Sequence, residues 1–290
     1  MIRRVYVDGY KSLQKVELPL ERLTIVLGSN ATGKSNLFDA LRLLSRMVTS
    51  RSLDEAFEGH RGDPLEAFDY SEGGIAALLR KEEVRFTIEV DVELDDSIVD
   101  FTERKIQQHR TSNSNDDSGK KSHDRRVIER LLRYRVTIAI MPSAGILRVV
   151  DEYLCALKEK NGELRRDERR NPFLERVHDR LRLRMEGQAR PTEYELGLNY
   201  TIASQPVYPP HYPHLMAFRE EISRWQFYYL EPHLMREENP VIQTEMLTPL
   251  GGNLAAFYYT MQRKNPRQFE NVQKTIQILI PTISGFSPEL

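Results

Sequence analysis

Apolar and polar positions along the chain mark out most of its elements before any side-chain chemistry is considered. Residues 2–7 and 16–20 read as two strands around the turn-forming Asp8-Gly9, with Tyr10-Lys11-Ser12-Leu13 between them. Residues 23–27, Leu-Thr-Ile-Val-Leu, form a short apolar run with β-branched members and predict a buried strand. Further on, Leu37, Ala40, Leu41, Leu44 and Val48 recur at spacings of three and four, one apolar face of a helix. Residues 84–94 alternate apolar and polar side chains, as a strand with one wet face does. Residues 131–141 and 146–150 read as strands around the turn Pro142-Ser143-Ala144-Gly145, the second carried on into Tyr153-Leu154. Asn161-Gly162 centres a charged turn, and Phe173, Leu174, Val177 and Leu181 predict a short helix over 171–183. A proline- and tyrosine-rich connection over 190–212 precedes a helix over 215–226 and a buried strand over 227–230. Two helical runs follow, 254–263 and 269–279.

The join between the 23–27 run and the first helix carries the chemistry. Gly28-Ser29-Asn30-Ala31-Thr32-Gly33-Lys34-Ser35 fits G-x-x-x-x-G-K-[ST], the phosphate-binding P-loop, and Asn36 follows it. Gly28 and Gly33 permit backbone angles that a β-carbon forbids, so the loop can curl with its N–H groups inward. Those donors and the positive end of the helix make a cradle for polyphosphate. Lys34 is placed for the β- and γ-phosphates, and the Ser35 hydroxyl for a Mg²⁺ ion beside them. A glycine turn that merely caps a helix is the plainer alternative. The strand before and the helix after favour the phosphate reading.

Composition narrows the class. The 290 residues are 40% hydrophobic and 29% charged, with net charge −1, a globular balance. Charge is unevenly laid out: residues 101–190 hold 22 Lys plus Arg against 14 Asp plus Glu, a local excess of +8. Cys155 is the only cysteine, so no intrachain disulfide forms and a reducing, cytoplasmic setting is expected. No run approaches the roughly 18 apolar residues of a membrane span.

Other candidates are weaker. Val149-Val150-Asp151-Glu152 has the look of a strand ending in a metal-holding aspartate and a water-polarising glutamate. Arg148 breaks its apolar run, and a hairpin strand is the competing reading. His211 and His214 stand near Tyr208 and Tyr212, but no acidic or cysteine partner sits at ligand spacing. Residues 109–126 hold no large apolar side chain and read as a mobile, solvated loop.

Residues 2–47 resemble the opening of the ABC-type ATPase heads of the RecF, SMC and OLD-nuclease group. The resemblance rests on Gly9-Tyr10-Lys11-Ser12-Leu13, Leu23-Thr24, Gly28, Asn30, Gly33-Lys34-Ser35-Asn36-Leu37 and Ala40-Leu41. Tyr10 stands where the group usually has Phe, and Ala31 where many members have a third glycine. Residues 225–232, with Arg236, resemble the group's return strand. Residues 248–256 resemble its following helix start, with Asn253 as cap. The resemblance implies ATP and Mg²⁺ as ligands and an α/β head. That head has a mixed sheet with flanking helices and an antiparallel β subdomain. It implies a homodimer closed around ATP and a DNA-linked task such as repair or anti-phage defence. Gln107 and Gln108 are the nearest candidates for the group's metal-contacting glutamine, and Leu250-Gly251-Gly252-Asn253 for its signature loop, although the signature serine is absent. No C-terminal Walker B strand is legible. The expected layout is therefore a P-loop lobe over 1–100, an inserted basic region over 101–190, and a return segment over 191–290 toward a C-terminal ATPase lobe not legible here, which a separate chain would supply in the alternative reading. Hydrolysis by this chain alone stays open, with nucleotide binding without turnover as the alternative.

Overall fold

The computed structural model describes residues 1–112, 126–188, 190–240 and 242–288. They divide into two compact units, Met1–Trp225 and Gln226–Leu290.

The first unit is built on an antiparallel sheet. Its strands are β1 (Ile2–Asp8), β2 (Val16–Pro19), β3 (Val84–Glu93), β4 (Leu131–Met141), β5 (Ile146–Lys160), β6 (Glu163–Arg166), β7 (Leu174–Val177), β8 (Arg180–Leu183) and β9 (Thr192–Glu195). They lie in the order β2-β1-β3-β4-β5-β7-β8-β9, with β6 paired to β5. The α/β class with helices flanking a sheet thus stands, and each pairing among the described strands is antiparallel. The helices of this unit are α1 (Lys34–Thr49), α2 (Leu53–Glu58), α3 (Gly74–Leu78), α4 (Asp96–Ser112) and α5 (Pro213–Ser223).

Alternation along the strands sets the two faces. Val5, Val7, Phe86, Ile88, Val90, Val92, Tyr134 and Val136 point inward and are buried. Leu37, Ala40, Leu41, Leu44 and Val48 of α1 are buried as their spacing requires. Phe218 of α5 stacks on Tyr134 at 4.5 Å, and Ser45 of α1 donates to the Ile222 carbonyl at 3.2 Å. The other sheet face carries an ion network. Asp91, fully buried, takes a bidentate pair from Arg133 at 2.6 and 2.7 Å, with Arg4 at 3.6 Å.

Two expectations for this unit fail for physical reasons. Residues 23–27 form no strand, and Leu23, Ile25 and Leu27 are 81, 71 and 86% exposed. A strand needs ladder partners, and no described strand pairs with them. Residues 171–183 are the β7–β8 hairpin rather than a helix, turning at His178 with φ 55°. Arg180-Leu181-Arg182-Leu183 alternates with period two, and that pattern outweighs the helical spacing of its apolar neighbours. Of the segment read as a mobile loop, residues 109–112 end α4 and 113–125 lie outside the described residues.

In the second unit, α6 (Leu254–Lys264) and α7 (Pro266–Leu279) form as expected. Residues 227–230 are not a buried strand: Tyr228, Tyr229 and Leu230 are exposed, and Tyr229 N–H donates to the Pro249 carbonyl. Asn253 sits at the N-cap of α6 without capping it, because its Oδ1 accepts from Thr248 N–H at 2.7 Å instead.

Gly9, at the turn after β1, has φ +73°, and an added Cβ would lie 2.6 Å from the Arg85 carbonyl oxygen. Gly9→Ala is expected to cost about 2 kcal/mol or more, since left-handed backbone alone costs an alanine about 1–2 kcal/mol. A lowered urea midpoint at unchanged slope would register it.

Candidate functional site

The P-loop passes through a left-handed Ala31 at φ 66° and turns into α1 through Gly33 at φ 90°. A Cβ at Gly33 would press on Ser12 Oγ at 3.1 Å and Leu13 Cδ2 at 3.2 Å, so the glycine there permits close packing as well as the turn. The first helical hydrogen bond runs from Leu37 N–H to the Gly33 carbonyl. No side chain caps α1, and no acid lies in its first turn. The leading N–H groups of a sixteen-residue helix therefore face the loop with their partial positive charge unopposed by a local carboxylate. Such an end suits an anion.

Lys34 folds over the loop, its ammonium donating to the Gly28 carbonyl at 2.8 Å and the Ser29 carbonyl at 2.5 Å. Thr32 Oγ1 donates to the Ser29 carbonyl at 3.0 Å. These local bonds hold the loop curled. The carbonyls that hold the Lys34 ammonium here are acceptors a phosphate can replace.

The turn between β1 and β2 forms the floor beside it. Asn36 Nδ2 donates to Ser12 Oγ at 2.8 Å, and Lys11 pairs with Asp39 of α1 at 2.8 Å. On its far side, Lys11 N–H donates to the Ala67 carbonyl at 3.0 Å and Asp69 N–H to the Gly9 carbonyl at 3.0 Å. Tyr10 is buried, edge-on to Phe86 at 5.4 Å, and its hydroxyl donates to His60 Nε2 at 2.8 Å. Burial pushes the Tyr10 phenol up, and burial with the nearby Lys11 charge pushes His60 down, so the pair is neutral and the hydrogen bond is between uncharged groups.

Loop, turn and the 61–71 segment together enclose a cleft of about 580 Å³, a volume within the range of small-ligand sites. Asn30 to Asn36 line one wall, Lys11 and Ser12 the floor, and Arg61, Glu66, Asp69, Tyr70 and Ser71 the other wall. The donor set fits a polyphosphate with a metal ion: helix-end amides, the Lys34 ammonium and the Ser35 hydroxyl. The second wall was not legible as part of a site. Residues 49–74 show only glycine and proline turn signals, and the contacts that bring them to the turn are backbone hydrogen bonds, which leave no trace in residue type.

The weaker candidates lie elsewhere. Asp151 faces the ion network and pairs with Arg135 at 3.0 Å. Glu152 is fully buried on the opposite face, accepting from Ile202 N–H at 2.6 Å, Ala203 N–H at 2.9 Å and Tyr134 hydroxyl at 2.8 Å. Neighbouring Thr201 donates to the Met47 carbonyl at 2.8 Å. Thirteen residues of helix separate Met47 from Lys34, about 20 Å at the helical rise. Neither acid therefore reaches a phosphate on the P-loop, which corrects the reading of Asp151 and Glu152 as a catalytic pair. His214 is buried and stacked on Phe173; its Nδ1–H donates to Glu186 at 2.6 Å and its Nε2 accepts from Ile128 and Glu129 N–H. Both ring nitrogens serve structure, and no group of residues suited to a metal ion occurs among the described residues. Gln107 and Gln108 lie on α4 and do not line the cleft. Gly251, at φ 79°, packs its turn against Met235.

Comparison with known proteins places the chain beside the following. A family profile described as AAA ATPase domain matches residues 1–166. A DNA replication and repair protein RecF from Caldanaerobacter subterraneus subsp. tengcongensis is 32% identical over 80 residues, 27% of this chain and 20% of that protein. The match thus spans about a fifth of that relative's length. A solved chain, from work on ATP-driven dimerisation and DNA-stimulated activation of SMC ATPases, superposes with TM-score 0.28 at 16% identity. It covers 57% of this chain and 71% of that one.

Proposed function

Because the chain belongs to the AAA ATPase domain family, we propose that it binds ATP with Mg²⁺ in the P-loop cleft and forms part of a RecF-like ATPase head. One observation carries this reading: the uncapped leading end of α1, with Lys34 beside it, opens on a cleft large enough for a nucleotide. Gly28 to Asn36 bind the phosphates, the helix-end amides and Lys34 take the charge, and the Ser35 hydroxyl meets Mg²⁺. The bound metal would neutralise charge on the β- and γ-phosphates.

The cycle we infer pairs two such heads around ATP and parts them on hydrolysis. It serves a DNA-linked task, repair or anti-phage defence, in the cytoplasm. The basic excess over 101–190 is the local support for a nucleic-acid partner. No helix among the described residues is long and apolar enough to cross a membrane.

A second reading is favoured by the exposed run at 23–27. Three bare aliphatic side chains next to the P-loop make a surface that another chain, supplying the lobe with the water-activating acid, would cover. Equilibrium titration with MgATP, followed by phosphate release with and without DNA, tests both. Binding with turnover supports the ATPase head. Binding without phosphate release until a partner chain is added supports the second reading. No binding overturns both.

A further inference from the structure

We propose that Tyr70 is the platform on which the base of the nucleotide stacks, and that it fixes which way round the ligand lies in the cleft. The inference rests on the ATP reading and adds the nucleoside end of the site. The turn at 9–13 is held between the two walls. Its Ser12 meets Gly33 and Asn36 on one side, and its backbone bonds to Ala67 and Asp69 on the other. The walls therefore stand on opposite sides of the turn. A triphosphate laid on the helix end projects its nucleoside across that span.

Tyr70 waits there. Its backbone is fixed, because Asp69 N–H is bonded to the Gly9 carbonyl, Phe68 is buried and bridged to Tyr10, and the Tyr70 carbonyl accepts from Gly74 N–H at 3.1 Å. The residue is nevertheless 40% exposed and lines the cleft. Among the described residues that line the cleft, it alone carries an aromatic ring. Charge sets the polarity. Lys34 and the amides of α1 lie on one wall, while the wall of Tyr70 carries Glu66 and Asp69 against Arg61, a net negative charge that disfavours phosphate there. The Asp69 Oδ1 accepts from Ser71 N–H at 2.9 Å, which fixes the carboxylate beside the ring. Phosphates thus go to the loop and the base to Tyr70. Every base has a π-face, so stacking gives affinity with little choice among bases.

Binding of MgATP and of magnesium tripolyphosphate to the wild type, Tyr70→Ala and Tyr70→Phe tests this, with a thermal melt of each variant. The wild type is expected to bind ATP roughly tenfold or more tighter than tripolyphosphate, the typical worth of one base stack. Tyr70→Ala is expected to lose that advantage and keep tripolyphosphate binding, whereas Tyr70→Phe keeps both. Unchanged ATP affinity in Tyr70→Ala, or equal losses for the two ligands, overturns the platform while leaving the P-loop site standing. A wild type that binds neither ligand overturns both.

Discussion

Lys34→Ala is expected to weaken MgATP binding by about a hundredfold or more and to leave folding stability within about 0.5 kcal/mol, the usual range for a surface substitution. The ammonium touches the Gly28 and Ser29 carbonyls and Thr32 Oγ1, all of its own exposed loop, so its removal exposes no core and strands no buried donor. Against phosphate it would make charge-assisted hydrogen bonds, each worth about 1.5–3 kcal/mol, and two of them would account for the expected loss. Lys34→Arg keeps the charge but not the compact three-donor head, and is expected to fall between. Calorimetric titration beside a thermal melt reads both quantities. An alanine variant that bound MgATP within threefold of the wild type would mean that the helix-end amides alone hold the phosphates, or that the nucleotide lies elsewhere.

The part of this site that was readable in the sequence is the part made by local rules. Gly33 is required where the backbone is left-handed and Ser12 presses close, and α1 follows from apolar spacing that tertiary packing then uses unchanged. Hairpin β1–β2 is likewise local, its strands separated by Asp8-Gly9 and the turn. Non-local features were hidden. The 23–27 run is apolar enough for a strand, yet a strand exists only where neighbours supply its hydrogen bonds. The far wall of the cleft depends on a backbone contact between residues more than fifty positions apart. Which way Asp151 and Glu152 face, and so which of their two readings holds, turned on a single extra residue. The β4–β5 register shifts between Thr137 and Ile138, opposite Asp151 and Val149, so Val150 bulges. That bulge flips every later side chain of β5, sending Glu152 and Leu154 into the core and Asp151 to the ion network. Sequence periodicity cannot locate a bulge that the partner strand defines.

Glu152→Ala separates those two readings most sharply, and its expected effect falls on the fold. The substitution leaves Ile202 N–H, Ala203 N–H and the Tyr134 hydroxyl buried without their acceptor, at about 1–3 kcal/mol each. The loss should depend on pH in a set direction. Burial pushes the Glu152 carboxyl up to about 7, against 4.5 for the free side chain. The native state therefore holds a proton that the unfolded chain has released between those values, and the wild type loses stability as pH rises from about 4.5 to about 7, by about 3 kcal/mol at 1.36 kcal/mol per pKa unit. Above that window the contribution is level. The alanine variant lacks this slope, so its deficit should be largest near pH 5, about 4 kcal/mol, and shrink by pH 8. Urea denaturation at the two pH values measures it. A catalytic acid would behave oppositely, folding normally as alanine and losing phosphate release alone. That outcome would return Glu152 to the active site and require the C-terminal end of α1, rather than its leading end, to lie near the nucleotide.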